Sequence, residues 1–399
     1  MLAGKTVILG VTGGIAVYKA VELLRLLTKA GAGVHVVMTK AAAEFVAPLT
    51  FQTLSGNPVH SELFNLISEQ EISHISLADR ADLFIIAPAT ANFVGKLANG
   101  IADDLLTTTV MATKAPVVIV PAMNVNMYDN SIYQENEARL KQHGYVFVEP
   151  ATGWLACGWD GKGKMQEPAI ILEEARCAVT PKDMKGLKLL VTAGPTREEI
   201  DPVRYITNHS SGRMGFAIAR AARLRGAEVT LVSGPVSLAV PFGLELVPVE
   251  TAAEMHHAVL SRAQNCDIII KAAAVADYKP LLRADQKIKK KSVETGIALV
   301  KTADILADLG KMKPEGQTLV GFAAETENIK ENAIDKLEAK NLDMIVVNDV
   351  SIEGAGFNGE TNIVRFIWRD GRSEELPLMS KEKVAGEILD RVMELRLSA

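Results

Sequence analysis

The chain twice opens a strand, a glycine-containing turn and a helix of the kind that meets nucleotides. The first copy, Lys5–Thr39, reads KTVILGVTGGIAVYKAVELLRLLTKAGAGVHVVMT. The second starts at Leu187 as LKLLVTAGPTR, resumes after an insertion as SSGRMGFAIARAARLRGAEVTLVSG and ends at Gly234. Each has a β-rich run, glycines where the backbone must come close to something, a helix and a second β-rich run. A helix N-terminus behind such a turn attracts anions, because free N–H groups and the helix dipole point there. Two openings point to two phosphate-bearing ligands and two active sites.

At 399 residues the chain is too long for one ordinary core, so two domains are expected. Apolar runs alternate with amphipathic segments, the pattern of a mostly parallel sheet flanked by helices. In the first half, strands are expected near Thr6–Leu9, Gly33–Met38, Leu83–Ala87, Val117–Val120 and Tyr145–Val148. Helices are expected near Val17–Ala30, Ala91–Leu97, Asp104–Ala112, Ile132–His143 and Ala169–Val179. The polar segment Thr180–Gly186, TPKDMKG, is read as a linker between domains 1–179 and 187–399. The second half restarts at Lys188–Thr192 and continues with strands near Glu228–Val232, Glu245–Val247, Asp267–Lys271, Thr318–Phe322 and Asp343–Val347. A hairpin, Asn362–Trp368 turning at Asp370 and Gly371, precedes a helix Lys381–Leu395. The fold class is α/β, with two Rossmann-like three-layer domains.

A net charge of −5 gives no footprint for nucleic acid or an anionic membrane. No apolar run reaches spanning length, and the chain enters its first strand without a charged leader, so a cytoplasmic protein is expected. Cys157, Cys177 and Cys266 make neither a disulfide framework nor a metal spacing.

In the first half, Val11–Ile15 (VTGGI) lacks G-x-G-x-x-G, so the dinucleotide fingerprint is not met. A single phosphate at the helix start, or a turn used only for packing, both fit it. His74 precedes a strand; a lone His is more often structural than catalytic. Pro88–Asn92 follows that strand at the carboxyl edge, where open α/β sheets bind ligands, and its small residues allow a flat ring to lie on the backbone. Asn124, after the next strand, can both donate and accept, or simply form a turn. Cys157 sits in a glycine-punctuated loop that reads as a movable flap, whereas Cys177 and Cys266 read as core thiols.

Taken in order, GVTGGIAVYK, SHISLADRADLFIIAPATANFVGKLANGIADDL, PAMNVNMY and ACGWDGKGKM resemble the flavin-dependent cysteine decarboxylases from Leu2 to about Ala178. The resemblance implies an FMN-binding domain assembling as trimers, with FMN at Gly13, Gly14, Thr39, Ala89, Thr90 and Ala91. It implies substrate handling by His74 and Asn124 and proton donation by Cys157. Lys164 departs from the family, whose flap usually carries Arg; the charge survives, the bidentate fork does not.

In the second half, Ala193–Glu198 follows a strand, and Asp201–Gly215 leads into a helix that Ser210 or Ser211 could cap, with amides nearby for phosphate. Asp277, after another strand, could hold a ribose hydroxyl or Mg²⁺, or be a solvated turn acid. The run Lys287–Lys291 reads as triphosphate clamping or as a solvated face. Gly321–Thr326 ends a strand and opens a helix bearing Lys336 and Lys340. Phe322 could stack on a base or pack in the core.

The motifs TAGPTREEIDPVRYITNHSSGRMGFAIA, AAAVADYKP, KIKK, GFAAET and VVNDV closely resemble the phosphopantothenate–cysteine ligase domain over 187–399. With the first half, the chain resembles the bacterial bifunctional decarboxylase/ligase family of coenzyme A synthesis. The implied partners are 4′-phosphopantothenate, L-cysteine and CTP, with Mg²⁺, and neither nucleic acid nor membrane. A homo-oligomer is implied, trimeric through the first half and dimeric through the second, a dodecamer satisfying both. Implied CTP positions are Lys271, Ala272, Ala273, Asp277, Lys287, Ala303, Asp304, Ile305, Leu306, Phe322, Lys336 and Lys340. Asp277 is also the metal candidate. Asn208 and Arg204 match residues handling an acyl-nucleotide, and Lys287 is assigned the electrostatic role in its formation. Arg213 stands for a frequent Lys and Ala303 for a frequent Pro. An NAD(P)-dependent oxidoreductase is disfavoured by the missing fingerprint. A non-enzymatic flavoprotein-fold binder would not need His74, Asn124, Cys157 or a ligase half.

Overall fold

Residues 1–63, 73–154, 158–289, 296–325, 329–349 and 359–398 are described here, from a computed structural model. The run TVILGV at Thr6–Val11 is buried on both faces, as a strand inside a parallel sheet must be. It pairs in parallel with Gly33–Met38 on one side and Leu83–Ala89 on the other. Val59–His60, Val117–Pro121 and Val146–Phe147 complete a six-stranded, all-parallel sheet. Alternate residues feed two cores. Val7, Leu9, Leu83 and Ile85 pack with Leu23, Leu24 and Ile171 on one face. Ile8, Phe84 and Ile86 pack with Phe93, Leu106 and Leu140 on the other.

Two units divide at Met1–Thr180 and Pro181–Ala399. The second is built on an eight-stranded sheet. Its spatial order is Glu245–Pro248, Glu228–Ser233, Lys188–Ala193, Ile268–Lys271, Thr318–Glu325, Met344–Asp349, Val364–Trp368 and Ser373–Glu375. The first six run parallel; Val364–Trp368 is antiparallel to its neighbour Met344–Asp349, and Ser373–Glu375 is antiparallel to Val364–Trp368 in turn. The hairpin expected at Asp370 and Gly371 is present, with Gly371 at φ +81°. This sheet also separates two cores, one under the helices Arg213–Leu224 and Lys381–Ser398 and one under Ala252–Ala263 and Ile305–Met312.

Both α/β halves match the expected class. Local expectations change in three places. The helix after the second opening starts at Arg213; its N-cap is Gly212 at φ +77° rather than Ser210 or Ser211, and the Ser210 hydroxyl accepts from the Gly212 N–H at 3.3 Å. A side chain at Gly212 would clash with Val236 2.8 Å away, so the left-handed turn is reserved for glycine. The strand expected to end at Phe322 continues to Glu325. Lys340 lies just beyond the helix Ile329–Ala339 that carries Lys336. The polar insertion folds as an antiparallel ribbon, Arg197–Asp201 with Arg204–Thr207. A second ribbon pairs Tyr278–Pro280 with Leu299–Lys301. Among the described residues no helix is long and apolar enough to cross a membrane.

Candidate active sites

In both sheets strand order reverses beside the first strand of the unit, and the loops leaving the carboxyl ends there must diverge to opposite faces. In the first unit that crevice lies between Thr6–Val11 and Leu83–Ala89. Thr12 ties its two sides together: its hydroxyl donates to the Pro88 carbonyl at 2.8 Å and accepts from the Thr90 N–H at 3.0 Å. A cavity of about 740 Å³ opens there, lined by Gly13, Thr39, Lys40, Ser61, Thr90 and Ala91 among others.

Three features suit this cavity to a phosphate-bearing planar cofactor. Thr90 caps the helix Ala91–Ala98 through the Phe93 N–H, and Thr39 caps Lys40–Ala43 through the Ala42 N–H. Gly13 backs onto Ala41 so closely that a Cβ would fall 2.5 Å from the Ala41 Cβ, so the turn hugs its neighbour with no side chain between. Gly14 lines an adjoining cavity, while Ala89 is fully buried in its strand and lines neither.

The adjoining cavity, about 500 Å³, shares Gly13, Thr90, Ala91 and Met127 with the first, so the two are compartments with a common wall. Asn124 lines it and caps the short helix Val125–Tyr128, its Oδ1 accepting from the Asn126 N–H at 2.8 Å. The other wall is the ribbon Ala151–Trp154 and Asp160–Lys164, through Trp154, Gly163 and Lys164. Lys19, 5% exposed, holds the chain just beyond the ribbon: its ammonium donates to the Met165 carbonyl at 3.1 Å and to Glu167 at 2.8 Å. Gly163 sits at φ +151°, its carbonyl accepting from the Met123 N–H at 3.0 Å. A Cβ there would meet the Met123 oxygen at 2.4 Å. Gly163→Val is therefore expected to lift the ribbon from Asn124 and cut decarboxylation roughly tenfold while flavin absorbance is retained. Unchanged turnover would show that the contact does not position the site.

His74 lies half-buried on the helix Ser73–Arg80; its Nδ1 is buried with no hydrogen-bond partner among the described residues, and it lines neither cavity. Cys157 falls outside the described residues. Cys177 and Cys266 are each half-buried thiols; burial pushes Cys266 up, away from reactivity.

In the second unit the crevice lies between Lys188–Ala193 and Ile268–Lys271. It is laced by the Ala273 N–H donating to Thr192 Oγ1 at 3.1 Å and the Ala276 N–H to Thr196 Oγ1 at 3.0 Å. A cavity of about 470 Å³ takes in the amide-rich turn Asn208–Gly215 together with Lys271, Ala272, Ala273, Asp277, Phe322 and Lys336. Gly215 lets the helix start press on the strand, since a Cβ would lie 2.6 Å from the Ala193 Cβ. Asn208 donates to the Ala274 carbonyl at 2.9 Å, which fixes its oxygen toward other partners.

Burial, then the nearby Lys340 ammonium, pushes Lys271 below the ordinary lysine range; Asp304 and Asp277 oppose the shift. Burial alone would raise Asp304, but the Lys340 ammonium at 2.8 Å and the Ala307 N–H outweigh it and hold the carboxyl low. Asp304 also caps Ile305–Met312 through the Leu306 and Ala307 N–H groups. Ala303, Asp304, Ile305, Leu306 and Lys340 stand beside the cavity rather than on its wall. Their spacing is set by Gly310, where a Cβ would fall 2.0 Å from the Lys340 carbonyl oxygen.

Arg204 and Lys287 also lie off this wall. Both depend on Asp201, a buried carboxylate that accepts from the Val203 and Arg204 N–H groups, from the Arg204 guanidinium at 2.6 Å and from the Ile288 N–H at 3.1 Å. The guanidinium, opposed by burial and helped by those N–H groups, holds Asp201 far below the ordinary carboxylate range. A lowered carboxylate stabilises above its unfolded pKa and loses that stabilisation as pH falls through the folded one, so this tether persists through the range where ordinary carboxylates titrate. Asp201→Asn is expected to free the 287–289 segment and slow ligation roughly tenfold, with less acid tolerance. A pH profile identical to the parent's would contradict the tether.

Sequence reasoning passed over three wall residues: Asn348, Asn362 and Lys381. Both asparagines are buried, each with an Oδ1 that has no partner among the described residues, and burial together with Arg213 lowers Lys381. Asn348 lay within the quoted VVNDV, and that motif was the available signal. Among the described residues no three His, Cys, Asp or Glu side chains gather to hold a metal; of the described residues on the wall, Asp277 is the one carboxylate and His209 the one imidazole.

The Flavoprotein family matches residues 1–178, and the DNA/pantothenate metabolism flavoprotein C-terminal domain matches 184–395. The coenzyme A biosynthesis bifunctional protein CoaBC of Bacillus subtilis is 53% identical over 99% of this chain and 98% of its own length. That of Vibrio cholerae is 49% identical, covering 98% of this chain and 99% of the relative, and that of Escherichia coli 47%, covering 98% and 97%. A crystal structure of the C-terminal domain of a CoaBC protein superposes with a TM-score of 0.47 at 47% identity, covering 54% of this chain and 100% of that one. The chain belongs to the family of bifunctional enzymes of coenzyme A biosynthesis.

Proposed function

We propose that the second unit joins L-cysteine to 4′-phosphopantothenate at the expense of CTP, and that the first unit decarboxylates the product to 4′-phosphopantetheine with FMN. The observation that supports this most is the pair of cavities, each at the strand-order reversal of its own parallel sheet, one carrying Asn124 and the other Asn208, Lys271 and Asp277.

For ligation, a carboxylate does not acylate an amine because oxide is a poor leaving group. Attack on the α-phosphorus of CTP gives an acyl-cytidylate and pyrophosphate, and the cysteine amine then displaces CMP. The amides of Ser210–Gly215 and the ammonium groups of Lys271 and Lys336 offer donors to the triphosphate, and Phe322 an apolar face to the base. Mg²⁺ would be held mostly by phosphate oxygens with Asp277, since this ion takes one or two carboxylates plus phosphates.

For decarboxylation, the larger cavity of the first unit suits FMN, with the glycine turn at Gly13 and the helix starts capped by Thr39 and Thr90 around it. Bound FMN would take two electrons from the CH₂–SH group and return them later; the thiocarbonyl formed in between accepts the electron pair left by CO₂. Asn124 orients the substrate, His74 is assigned to its thiol, and Cys157 returns a proton to carbon.

Exposed Tyr278, Leu281, Leu282, Leu299 and Val300 gather on and beside the second ribbon, an apolar surface that favours contact between copies of the second unit. Trimeric contacts of the first unit remain part of the same reading. Pyrophosphate release from CTP that requires both 4′-phosphopantothenate and cysteine, in a yellow protein that then evolves CO₂, is the expected result. A colourless protein indifferent to CTP would refute it.

A further inference from the structure

We propose that the Lys164 ammonium binds an anionic group of the decarboxylase substrate, a carboxylate or a phosphate monoester, in the cavity that Asn124 lines; this rests on the decarboxylase reading of the first unit. Among the described residues lining that cavity there is no Asp or Glu. Its ionisable side chains are Tyr18, Lys19 and Lys164, and much of the rest is apolar, including Ile15, Met123, Met127 and Trp154. Lys19 is committed, its charge matched by Glu167 and its remaining donor capacity spent partly on the Met165 carbonyl. Lys162, on the same ribbon strand, pairs with Glu149 and lies over the Tyr128 ring. Lys164 has no ion-pair or side-chain hydrogen-bond partner among the described residues.

An ammonium left unmatched beside an apolar wall is poorly solvated by protein and gains from an incoming anion more than a surface lysine would. Its placement is fixed. Gly163 locks to Met123, the residue before Asn124, so Lys164 and Asn124 are brought to one cavity by a single backbone contact. A neutral amide group and a cation so placed suit a ligand with both an amide or thiol and an acid. The substrate carries two acids, and either satisfies the chemistry.

The test uses the full-length, FMN-loaded protein and its Lys164→Met and Lys164→Arg variants. Phosphopantothenoylcysteine, its dephosphorylated form and neutral pantetheine are compared by steady-state kinetics and by calorimetric binding. Lys164→Met is expected to raise KM and Kd for the phosphorylated substrate by roughly ten- to hundredfold, with kcat and the flavin spectrum little changed. Lys164→Arg should restore binding to within about threefold, since the charge returns. A penalty that vanishes for the dephosphorylated substrate assigns the phosphate; one that persists assigns the carboxylate. Pantetheine should bind both proteins alike. Equal weakening of pantetheine, or no change in Kd for either acid, overturns the proposal. If the parent binds these acids but evolves no CO₂, the decarboxylase reading fails while the calorimetry still decides the role of Lys164.

Discussion

Replacing Cys157 by serine is expected to leave CO₂ release in place and to remove the saturated thiol from the products, by roughly a hundredfold or more. Protonation at carbon needs an acid whose pKa lies near the working pH. A thiol meets that condition and an aliphatic hydroxyl does not. The accumulating product should be an ene-thiol two hydrogens lighter, which mass spectrometry separates at once. The variant changes one atom in a chain segment flanked by Trp154 and Gly158, so the Asn124 cavity and flavin binding should be untouched. Saturated thiol formed at the parental rate would transfer the proton-donor role to another group.

Lys287→Gln is expected to lower CTP-dependent ligation by roughly a hundred- to a thousandfold, while decarboxylation of supplied phosphopantothenoylcysteine continues. The substitution keeps most of the side chain and deletes the charge. Charge redistributes among phosphate oxygens as the α-phosphorus is attacked, and a cation aimed there acts more in the transition state than in the ground state. Lys287 itself is exposed, but its neighbour Ile288 is fastened at both backbone ends: the N–H to Asp201 and the carbonyl to the Arg204 guanidinium at 3.0 Å. The ammonium is thus carried on an anchored segment, unlike an ordinary solvated charge run. Pyrophosphate release and CO₂ evolution, measured on the same preparation, check the result. Simultaneous loss of both activities would mean the two sites are not independent.

The parallel sheets were legible because their strands are buried on both faces and therefore read as unbroken apolar runs, as in ILG within Thr6–Val11 and IIIK at Ile268–Lys271. The ribbon Arg197–Asp201 with Arg204–Thr207 was not, because its strands face water and have no apolar period: REEID and RYIT look like loop. Glycines at 13, 212 and 215 marked close approach correctly. What they approach, Ala41, Val236 and Ala193, is set by tertiary packing and carries no local signal. Asp201 shows the same limit. Its sequence neighbours suggest a turn acid, whereas its bond to Ile288 spans a separation no pattern encodes. Lys381 reaches the second cavity from the start of the last helix, and helical periodicity identifies the helix without saying which pocket its first residue faces.

Gly310 has a consequence for divergence. Helix Ile305–Met312 and the chain at Lys340 touch main chain to main chain, at a spacing that any methyl group would force open. The Asp304–Lys340 pair hangs on that spacing. A descendant lineage could therefore retune these two charges only by keeping position 310 bare. Drift at one silent-looking helix residue would disable the pair as surely as a change to either charge.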